Sequence, residues 1–322
     1  MIDQEALQSC VDAIEGASTM IFACHVGPDG DALGSMLALA VAAGDAGKKV
    51  WPTFGGPFEL SENFRYLPVD MLVRPDELPG EADLLVAFDT GSQDRLGEVG
   101  SHVKKVGKAI VIDHHVTNEG FGEVALVDAT VSSTAELALA VIRRLGWPIT
   151  PVVATCLLTG IVTDTGRFQY SNTGPRTLEA AAQLVAAGAR PEEIGRHMFE
   201  EEPFGYLAVV SAVTGRAVLE ADRSFVWSVV YPDDLVNAGV SRSDVDGLID
   251  LVRLPREAEV STLVKVIDDE TVKVSLRSRG RADVGSLAAD LGGGGHHNAS
   301  GFTFRGTPEE AVTAVRERLP DA

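Results

Sequence analysis

The sequence contains few cysteines and no long apolar run. Its three cysteines, Cys10, Cys24 and Cys156, form no Cys-x-x-Cys pair, and we interpret them as reduced thiols in a cytoplasmic protein. The most apolar stretch, around residues 36–43, is far too short to cross a bilayer. Residues 1–10 are polar and acidic and predict no signal peptide. We therefore expect a cytoplasmic protein without a membrane segment.

Positive charge is also scarce. The chain of 322 residues has 27 lysines and arginines against 47 aspartates and glutamates, a net charge of −20. Such an acidic protein does not hold long DNA or RNA by bulk electrostatics, because that mode needs a face rich in lysine and arginine. A small anionic substrate is compatible, since local cations or bound metal ions can reverse the potential inside one cleft. We expect neither long nucleic acid nor membrane as a partner.

Length and composition predict two globular domains. Hydrophobic residues make up 45% and charged residues 23%, as in ordinary folded proteins. In the first half, apolar runs alternate with helical patterns. The predicted strands are Thr19–Cys24, Lys49–Phe54, Leu84–Phe88 and 109–112, and the predicted helices lie at about 32–43, 133–145 and 151–162. This order indicates an α/β domain over 1–188, with a mostly parallel sheet flanked by helices.

The second half predicts a smaller α/β domain over 205–322, after a helical connector at 189–204. The alanine-rich segment from about 174 to 201 shows helical patterns and no strand. The predicted strands of the C-terminal domain are 217–219, 225–231, 259–267 and 271–277, and its predicted helices are at about 244–252, 284–291 and 308–319.

Metal-binding types of side chain follow three of the predicted strands. His25, Asp89 and Asp113 each come just past the carboxyl end of a strand. Ligands of open α/β sheets bind beyond those ends, so three distant segments are expected to deliver these side chains to one edge of the sheet. Five of the seven histidines also fall in three short motifs, at 25, 114–115 and 296–297, and scattered surface histidines would not cluster in this way.

Four N-terminal motifs supply carboxylates and imidazoles. They are His25-Val-Gly-Pro-Asp29-Gly-Asp31, Phe88-Asp89-Thr90-Gly91, Asp113-His114-His115 and Thr163-Asp164-Thr165-Gly166. Turn and helix-capping roles are an alternative for Asp29 and Asp31. A carboxylate at the end of a buried strand, such as Asp89, is costly unless it is paired or binds a metal. The predicted metal ligands are His25, Asp29, Asp31, Asp89, His114 and Asp164.

This ligand set predicts a centre with two divalent cations. Four carboxylates balance the charge of two such ions, which suits a pair about 3.5–4 Å apart with a bridging carboxylate and a shared water. Carboxylates and imidazoles without thiolate favour Mn²⁺, two per chain, with Mg²⁺ or Co²⁺ as substitutes. We expect Asp113 to orient a histidine. Neighbouring side chains of an extended chain point opposite ways, so His114 and His115 should have different roles.

A glycine run in the second half predicts a phosphate contact. Gly293, Gly294 and Gly295 precede His296. Glycines let backbone amides approach an anion, and a helix beginning after them would add its positive end; a flexible turn is the alternative. Arg277, at the end of a predicted strand in the densest basic cluster, is the best candidate phosphate ligand, because arginine can bind phosphate through two hydrogen bonds.

These motifs resemble the DHH phosphoesterase superfamily, which is named after the tripeptide at Asp113, His114 and His115. The Gly-Gly-Gly-His signature is similar to that of the DHH-associated C-terminal domain. The opening of the first motif looks most like the nanoRNase/pAp phosphatase branch, which includes actinobacterial enzymes acting on cyclic di-AMP and its linear product pApA. The resemblance implies that Asp89 bridges the metals, and that the DHH residues have catalytic roles. It also implies that His115, Arg277 and His296 contact the substrate.

The resemblance further implies a Mn²⁺-dependent hydrolase, commonly a homodimer. Its substrates would be short 5′-phosphorylated oligoribonucleotides, linear dinucleotides, pAp and cyclic di-AMP, cleaved to mononucleotides by metal-activated water. Many members have a basic residue where this chain has Gly27, and His297 extends the glycine-histidine signature; both differences bear on substrate preference. The alternatives are a manganese inorganic pyrophosphatase or exopolyphosphatase, a RecJ-type exonuclease, and a module that binds cyclic dinucleotides without cleaving them.

Overall fold

The computed structural model describes residues 2–118 and 120–319, so the last three residues of the predicted C-terminal domain lie outside the described part. The chain divides into two compact units between Glu200 and Glu201. All three cysteines are buried and free. Among the described residues, no helix combines the length and the apolar character that a membrane span requires.

The N-terminal unit is built on a five-stranded parallel sheet. Its strands are β1 (Thr19–Cys24), β2 (Lys49–Phe54), β3 (Leu84–Phe88), β4 (Lys108–Asp113) and β5 (Val124–Val127). They lie side by side in the order β2-β1-β3-β4-β5. The predicted α/β class and parallel sheet are confirmed. Strand β5 is not predicted from the sequence, because four residues are too few to show a strand pattern.

Six α-helices of the described chain belong to this unit. They are α1 (Gln4–Gly16), α2 (Gly30–Asp45), α3 (Thr134–Arg144), α4 (Pro151–Asp164), α5 (Pro175–Ala186) and α6 (Pro191–Phe199). The main core joins one face of the sheet to these helices. On the other face, Ile21 and Ala87 belong to a smaller cluster with Leu96 and Val99, which lie in a 3₁₀ segment, Gln93–Lys104. A 3₁₀ segment therefore contributes to the cover of that face.

The first helix, α1, is absent from the sequence prediction. Asp3 caps it by accepting hydrogen bonds from the amides of Glu5 and Ala6, at 2.9 and 3.1 Å. Its buried side chains, Leu7, Cys10, Val11 and Ile14, follow the i, i+3, i+4, i+7 spacing of an amphipathic helix. The polar, acidic start of the chain therefore forms an amphipathic surface helix.

Glycines let the backbones of α2 and α4 approach closely. A Cβ atom added at Gly34 would lie 2.4 Å from the carbonyl oxygen of Cys156, and one added at Gly30 would lie 2.5 Å from Oγ1 of Thr163. Any larger residue would push these helices apart. This close packing brings the first turn of α2 beside the last turn of α4, where Asp164 ends the helix.

The C-terminal unit contains a six-stranded mixed sheet. Its strands are β6 (Val218–Glu220), β7 (Phe225–Val230), β8 (Val260–Asp268), β9 (Thr271–Ser278), β10 (Gly294–His296) and β11 (Ala299–Arg305), in the spatial order β10-β11-β9-β8-β7-β6. Only β7 and β8 pair in parallel among these strands. The α-helices are α7 (Tyr206–Gly215), α8 (Pro232–Ala238), α9 (Ile249–Val252), α10 (Val284–Asp290) and α11 (Pro308–Arg316).

Several predictions for this unit need correction. The expected helix at 244–252 is a 3₁₀ segment, Ser243–Leu248, followed by the single turn α9. Helices α7 and α8 and strands β10 and β11 are not predicted from the sequence. The mixed sheet and its helices nevertheless confirm a smaller α/β architecture in the second half of the chain.

The glycine run is followed by the strands β10 and β11 and not by a helix start. The glycines instead end α10: the amides of Gly292 and Gly293 donate to the carbonyls of Ala289 and Ala288, at 3.0 and 2.8 Å. Gly292 has φ of +81°, the left-handed conformation with which many helices finish. Gly294 and Gly295 then enter the β10–β11 hairpin. This segment follows the carboxyl end of α10 and returns to the amino end of the same helix, where the amide of Val284 donates to the carbonyl of His297 at 2.9 Å.

Candidate metal centre

The six predicted ligands converge beyond the carboxyl ends of three neighbouring strands. His25 follows β1, Asp89 follows β3, and His114 follows β4. Asp29 caps the amino end of α2, Asp31 lies in its first turn, and Asp164 ends α4. Asp113 is the last residue of β4 rather than the residue after it.

These side chains form two groups of possible metal ligands that meet at Asp89. In the first group, Nε2 of His25 lies 3.9 Å from Oδ2 of Asp29 and 3.6 Å from Oδ2 of Asp89. In the second, Nε2 of His114 lies 3.7 Å from Oδ2 of Asp31 and 3.5 Å from Oδ2 of Asp164. The same His114 nitrogen lies 3.5 Å from Oδ1 of Asp89. Asp89 thus directs one carboxylate oxygen toward each group.

Asp31 is held by the amino end of α3. The amides of Thr134 and Ala135 donate to its two oxygens at 2.6 and 2.9 Å, and the Thr134 hydroxyl donates to Oδ1 of Asp89 at 2.9 Å. Gly160 of α4 leaves room for this arrangement, because a Cβ atom there would lie 2.6 Å from Oδ1 of Asp31. The carboxylate is therefore fixed from both sides while fully buried.

Asp29 caps a helix with one carboxylate oxygen and faces His25 with the other. Its Oδ1 accepts hydrogen bonds from the amides of Asp31 and Ala32 at 3.1 and 3.0 Å, which caps α2. Its Oδ2 faces the imidazole of His25. Oδ1 of Asp29 therefore caps the helix, and Oδ2 lies beside the candidate metal ligands.

The backbone of Asp89 is unusual. Its φ is +53°, a left-handed conformation that costs an L-residue roughly 1–2 kcal/mol, although aspartate tolerates it better than most. The Asp89 amide still donates to the carbonyl of Ile112 at 3.0 Å, which continues the pairing of β3 with β4. The turn at Asp89 therefore directs its carboxylate between the two ligand groups at a conformational cost.

The carboxylates of the site differ in their pKa values. Burial, together with the charges of Asp89 and Asp164, raises the pKa of Asp31 well above its ordinary value. Burial raises the pKa of Asp164 to about 7 against the opposing effect of His114. At Asp89, burial is outweighed by the neighbouring imidazoles of His25, His115 and His114, which hold its pKa below the ordinary value. The pocket thus carries more negative charge than its imidazoles can balance.

The expectation that His114 and His115 point in opposite directions is wrong. Both follow the end of β4, where the strand pleat no longer applies, and their ring centroids are 5.1 Å apart. Nδ1 of His115 donates to Oδ1 of Asp113 at 2.7 Å and lies 3.6 Å from Oδ1 of Asp89. The two histidines therefore differ in their partners but both approach Asp89.

Asp113 is completely enclosed and orients His115. Its Oδ1 accepts from the amide and the ring of His115, at 3.3 and 2.7 Å, and its Oδ2 accepts from Nδ2 of Asn118 at 2.6 Å. Asn118 also donates to the carbonyl of Thr90 at 3.0 Å. Burial lowers the pKa of His115, but this Asp113 contact and the charge of Asp89 raise it to about 9. His115 is therefore an imidazolium at neutral pH in the protein alone.

Several residues that position the predicted ligands are not predicted from the sequence. Thr134, Gly160 and Asn118 contact the predicted ligands or their partners, as described above. Asn172 donates to the carbonyls of Ser132 and Asp164, at 3.0 and 3.2 Å, and so joins the loop before α3 to the end of α4. The signals that could have found them are a threonine at a helix start and an asparagine close behind the histidine pair.

In the C-terminal unit, the predicted phosphate contacts lie at one end of the sheet. Arg277 of β9 pairs with Ala299 of β11, and Ala299 pairs with His296 of β10. Cross-strand partners share a face of a sheet, so Arg277 and His296 lie on the two strands that flank β11, level with Ala299. A Cβ atom at Gly293 would lie 2.2 Å from the carbonyl of Gly301, so this glycine serves close packing.

Two family models match the chain. The DHH family N-terminal domain matches residues 19–161, and the DHHA1 domain matches residues 223–321. The chain belongs to the DHH family. The first match contains five of the six converging residues, and the sixth, Asp164, follows it by three residues.

Relatives extend the likeness over nearly the full chain. A bifunctional oligoribonuclease and PAP phosphatase NrnA of Thermus thermophilus is 36% identical over 317 residues, 96% of this chain and 92% of the relative. A cyclic-di-AMP phosphodiesterase GdpP of Bacillus subtilis is 27% identical, and the match spans 97% of this chain but 48% of GdpP. A crystal structure of an exopolyphosphatase-related protein from Bacteroides fragilis has a TM-score of 0.89 and 27% identity, covering 99% of this chain and 96% of that one. Membership of this family makes the chain a hydrolase of phosphoester bonds.

Proposed function

We propose that this protein hydrolyses short 5′-phosphorylated oligoribonucleotides, linear dinucleotides such as pApA, and pAp to mononucleotides, with two Mn²⁺ ions per chain. The observation that carries the proposal is the position of Asp89, whose two oxygens face separate ligand groups around His25 and His114. Such a shared carboxylate is what a pair of adjacent cations needs.

The residues present fit divalent cations. The donors are carboxylate oxygens and imidazole nitrogens without thiolate, a set that suits Mn²⁺ and also Mg²⁺ or Co²⁺. Bound cations would relieve the mutual repulsion that raises the pKa values of Asp31 and Asp164. His25, Asp29, Asp31, Asp89, His114 and Asp164 would hold them. When bound, such ions supply positive charge for a phosphate and make a water molecule more acidic.

The other site residues act on the substrate phosphate. Burial lowers the pKa of His115, but in the metal-free protein the contact of Nδ1 with Asp113 raises it to about 9. We assign the His115 imidazole to stabilise charge on a phosphate oxygen. In the C-terminal unit, Arg277 and His296 are assigned as further phosphate contacts. The glycines 293–295 are assigned as phosphate contacts beside His296, because glycine lets a backbone amide approach an anion.

The names of the relatives support the proposed substrate class. The NrnA protein of Thermus thermophilus is named as both an oligoribonuclease and a PAP phosphatase, which supports short RNA and pAp as substrates here. The GdpP relative supports cyclic di-AMP as a further substrate. The acidic composition argues against long strands. We also propose a homodimer in the cytoplasm, which light scattering and cell fractionation would test.

An exopolyphosphatase or inorganic pyrophosphatase is the second candidate. The similarity to the exopolyphosphatase-related structure favours it. In the C-terminal unit, however, a glycine-histidine hairpin lies in the same sheet as Arg277, whereas a resemblance to such enzymes would imply a lysine-rich phosphate motif there. Polyphosphate and pyrophosphate therefore belong in the same substrate panel.

The experiment is a turnover assay on pApA, pAp, cyclic di-AMP, pyrophosphate and polyphosphate with Mn²⁺, Mg²⁺ or Co²⁺. The wild-type protein should cleave pApA and pAp best. Asp89→Asn should lose more than about 100-fold in kcat/KM, whereas Asp45→Asn, on the exposed end of α2, should match the wild type. Near-wild-type activity of Asp89→Asn, or tight binding of pApA without turnover, would contradict the proposal.

A further inference from the structure

An exposed arginine lies on a segment that is hydrogen-bonded to the loop after His25. Arg95 belongs to the 3₁₀ segment Gln93–Lys104. Its carbonyl oxygen accepts a hydrogen bond of 2.8 Å from the amide of Val26, the residue directly after the predicted ligand His25. The Arg95 backbone is thus attached to the loop that carries one of the metal ligands.

The backbone around Arg95 is well anchored. The next residue, Leu96, is fully buried in the cluster on the second face of the sheet. Glu98 accepts a hydrogen bond of 2.8 Å from the amide of Gly56, two residues after β2. Gly97 has φ of +59°, and a Cβ atom there would lie 3.0 Å from Cγ2 of Val26. Arg95 therefore projects from a fixed turn.

The Arg95 side chain is solvent-exposed. Within residues 2–118 and 120–319, the structure shows no ion pair or hydrogen bond of its guanidinium, although acidic residues outnumber basic ones by 47 to 27. Other arginines of the N-terminal unit are paired, as Arg65 is with Glu62 and Arg190 with Glu192. The charge of Arg95 also acts on His25. Burial lowers the pKa of the His25 imidazole, and the carboxylates of Asp89 and Asp29 raise it. The positive charge of Arg95 lowers it.

The charge of a phosphorylated dinucleotide explains why such a cation is useful. Four carboxylates and two divalent cations cancel, which leaves little attraction for a second phosphate. A terminal phosphomonoester carries about −1.5 to −2 charge at neutral pH, and a guanidinium binds it through two parallel hydrogen bonds. Both pApA and pAp contain such a 5′-phosphate besides the ester that is cleaved.

We propose that Arg95 is a specificity-determining residue that binds the terminal 5′-phosphomonoester of the substrate, the group that is not cleaved. This inference rests on the proposed function. It distinguishes Arg95 from His115, which is assigned to the phosphate under attack, and it gives pApA and pAp one shared recognition element.

The test compares substrates that differ only in this phosphate. Wild-type protein with Mn²⁺ should cleave pApA faster than ApA, and pAp faster than 3′-AMP, in kcat/KM. Arg95→Ala should lower both ratios by about tenfold or more, chiefly through KM for the phosphorylated member, and Arg95→Lys should restore part of the loss. Arg65→Ala, another exposed arginine of the same unit, should leave both ratios at the wild-type value.

Two results would overturn the inference while the proposed function stands: equal wild-type kcat/KM within each substrate pair, or wild-type ratios in Arg95→Ala. Failure of the proposed function has a different signature, since the wild-type protein would then cleave none of the four compounds. Thermal unfolding of each variant checks the fold. Arg95→Gln, a second neutral change, gives the same readout if the alanine variant is unstable.

Discussion

The amide of Thr134 donates a hydrogen bond of 2.6 Å to Oδ2 of Asp31, 103 residues earlier in the chain. The hydroxyl of the same threonine donates to Oδ1 of Asp89 at 2.9 Å. One residue at the start of α3 therefore holds two of the predicted ligands in place. Contacts of this kind usually orient metal ligands and tune their affinity for the ion.

Thr134→Val should weaken Mn²⁺ binding by about 10–100-fold. Valine fills the same volume and keeps the amide bond to Asp31, but it removes the hydroxyl that fixes Asp89. Thr134→Ser keeps the hydroxyl and should bind Mn²⁺ nearly as the wild type does. Isothermal titration of the metal-free protein with MnCl₂ measures both. Equal affinity of the valine and serine variants would show that the hydroxyl contact is unimportant.

Two glycine-to-alanine changes should have opposite effects on stability. At Gly160 a Cβ atom would lie 2.6 Å from Oδ1 of Asp31 and 2.8 Å from Cβ of Ala135, whereas at Gly44 of α2 it would meet nothing within 4 Å. Gly160→Ala should therefore lower the free energy of unfolding by about 1–3 kcal/mol and weaken Mn²⁺ binding. Gly44→Ala should be neutral or stabilising by up to about 1 kcal/mol. Urea unfolding measures the free energy of unfolding of both variants. A Gly160→Ala variant with wild-type stability and wild-type metal affinity would contradict the prediction.

The sequence predicts that the candidate ligands converge, because several of them follow the ends of buried strands. The strands before His25 and Asp89 are short, continuous apolar runs, and parallel strands bring their carboxyl ends to one edge. The direction of each side chain there depends on where the strand stops. β4 ends at Asp113, so the pleat does not separate His114 from His115.

Contacts between distant segments could not be predicted in the same way. Gly160 appears in the sequence as one more small residue of an apolar helix, and only the packing of α4 against α2 makes it necessary. The glycine run 292–295 is typical both of a phosphate-binding loop and of a helix end. In the structure, Gly292 and Gly293 end the preceding helix α10. Arg95 has no motif of its own, since its proximity to Val26 is a tertiary contact.

The metal-free protein should lose stability as the pH rises from about 5 to 9. The folded-state pKa values of Asp164 and His115 are raised from 3.8 and 6.5 to about 7 and about 9, and those of Asp31 and His25 are also raised. Between the unfolded and folded pKa values the native state binds more protons, so each group lowers stability by at most about 1.4 kcal/mol per pH unit in its window. Metal binding releases these protons, so Mn²⁺ should stabilise more at pH 8 than at pH 6.

Urea unfolding with EDTA or Mn²⁺ at several pH values checks this dependence. Asp164→Asn removes the group that titrates up to about pH 7, so its metal-free stability should decline less between pH 5 and 7 than that of the wild type. Asp45→Asn, exposed at the end of α2, should keep the wild-type slope. A metal-free protein that grows more stable over this range would show that other groups outweigh the site.

Replacing Asp113 by asparagine should lower the pKa of His115. The carboxylate accepts the Nδ1 proton at 2.7 Å and is fully buried, and it offsets the burial that by itself would lower the pKa. Asparagine keeps the shape but removes the charge, so the imidazolium loses its main support and the pKa should fall from about 9 by one unit or more. NMR titration of the ring signals in metal-free protein measures the shift directly.

Asn118→Ala is the informative companion to this variant. Asn118 donates to Oδ2 of Asp113 at 2.6 Å but does not supply its charge, so the alanine variant should move the pKa of His115 much less than Asp113→Asn does. If His115 is the imidazolium that stabilises the phosphate, the alkaline limit of kcat should also move to lower pH in Asp113→Asn, in step with the NMR value. A lowered pKa of His115 without any shift of that limit would assign the alkaline limit to another group and restrict His115 to a structural role.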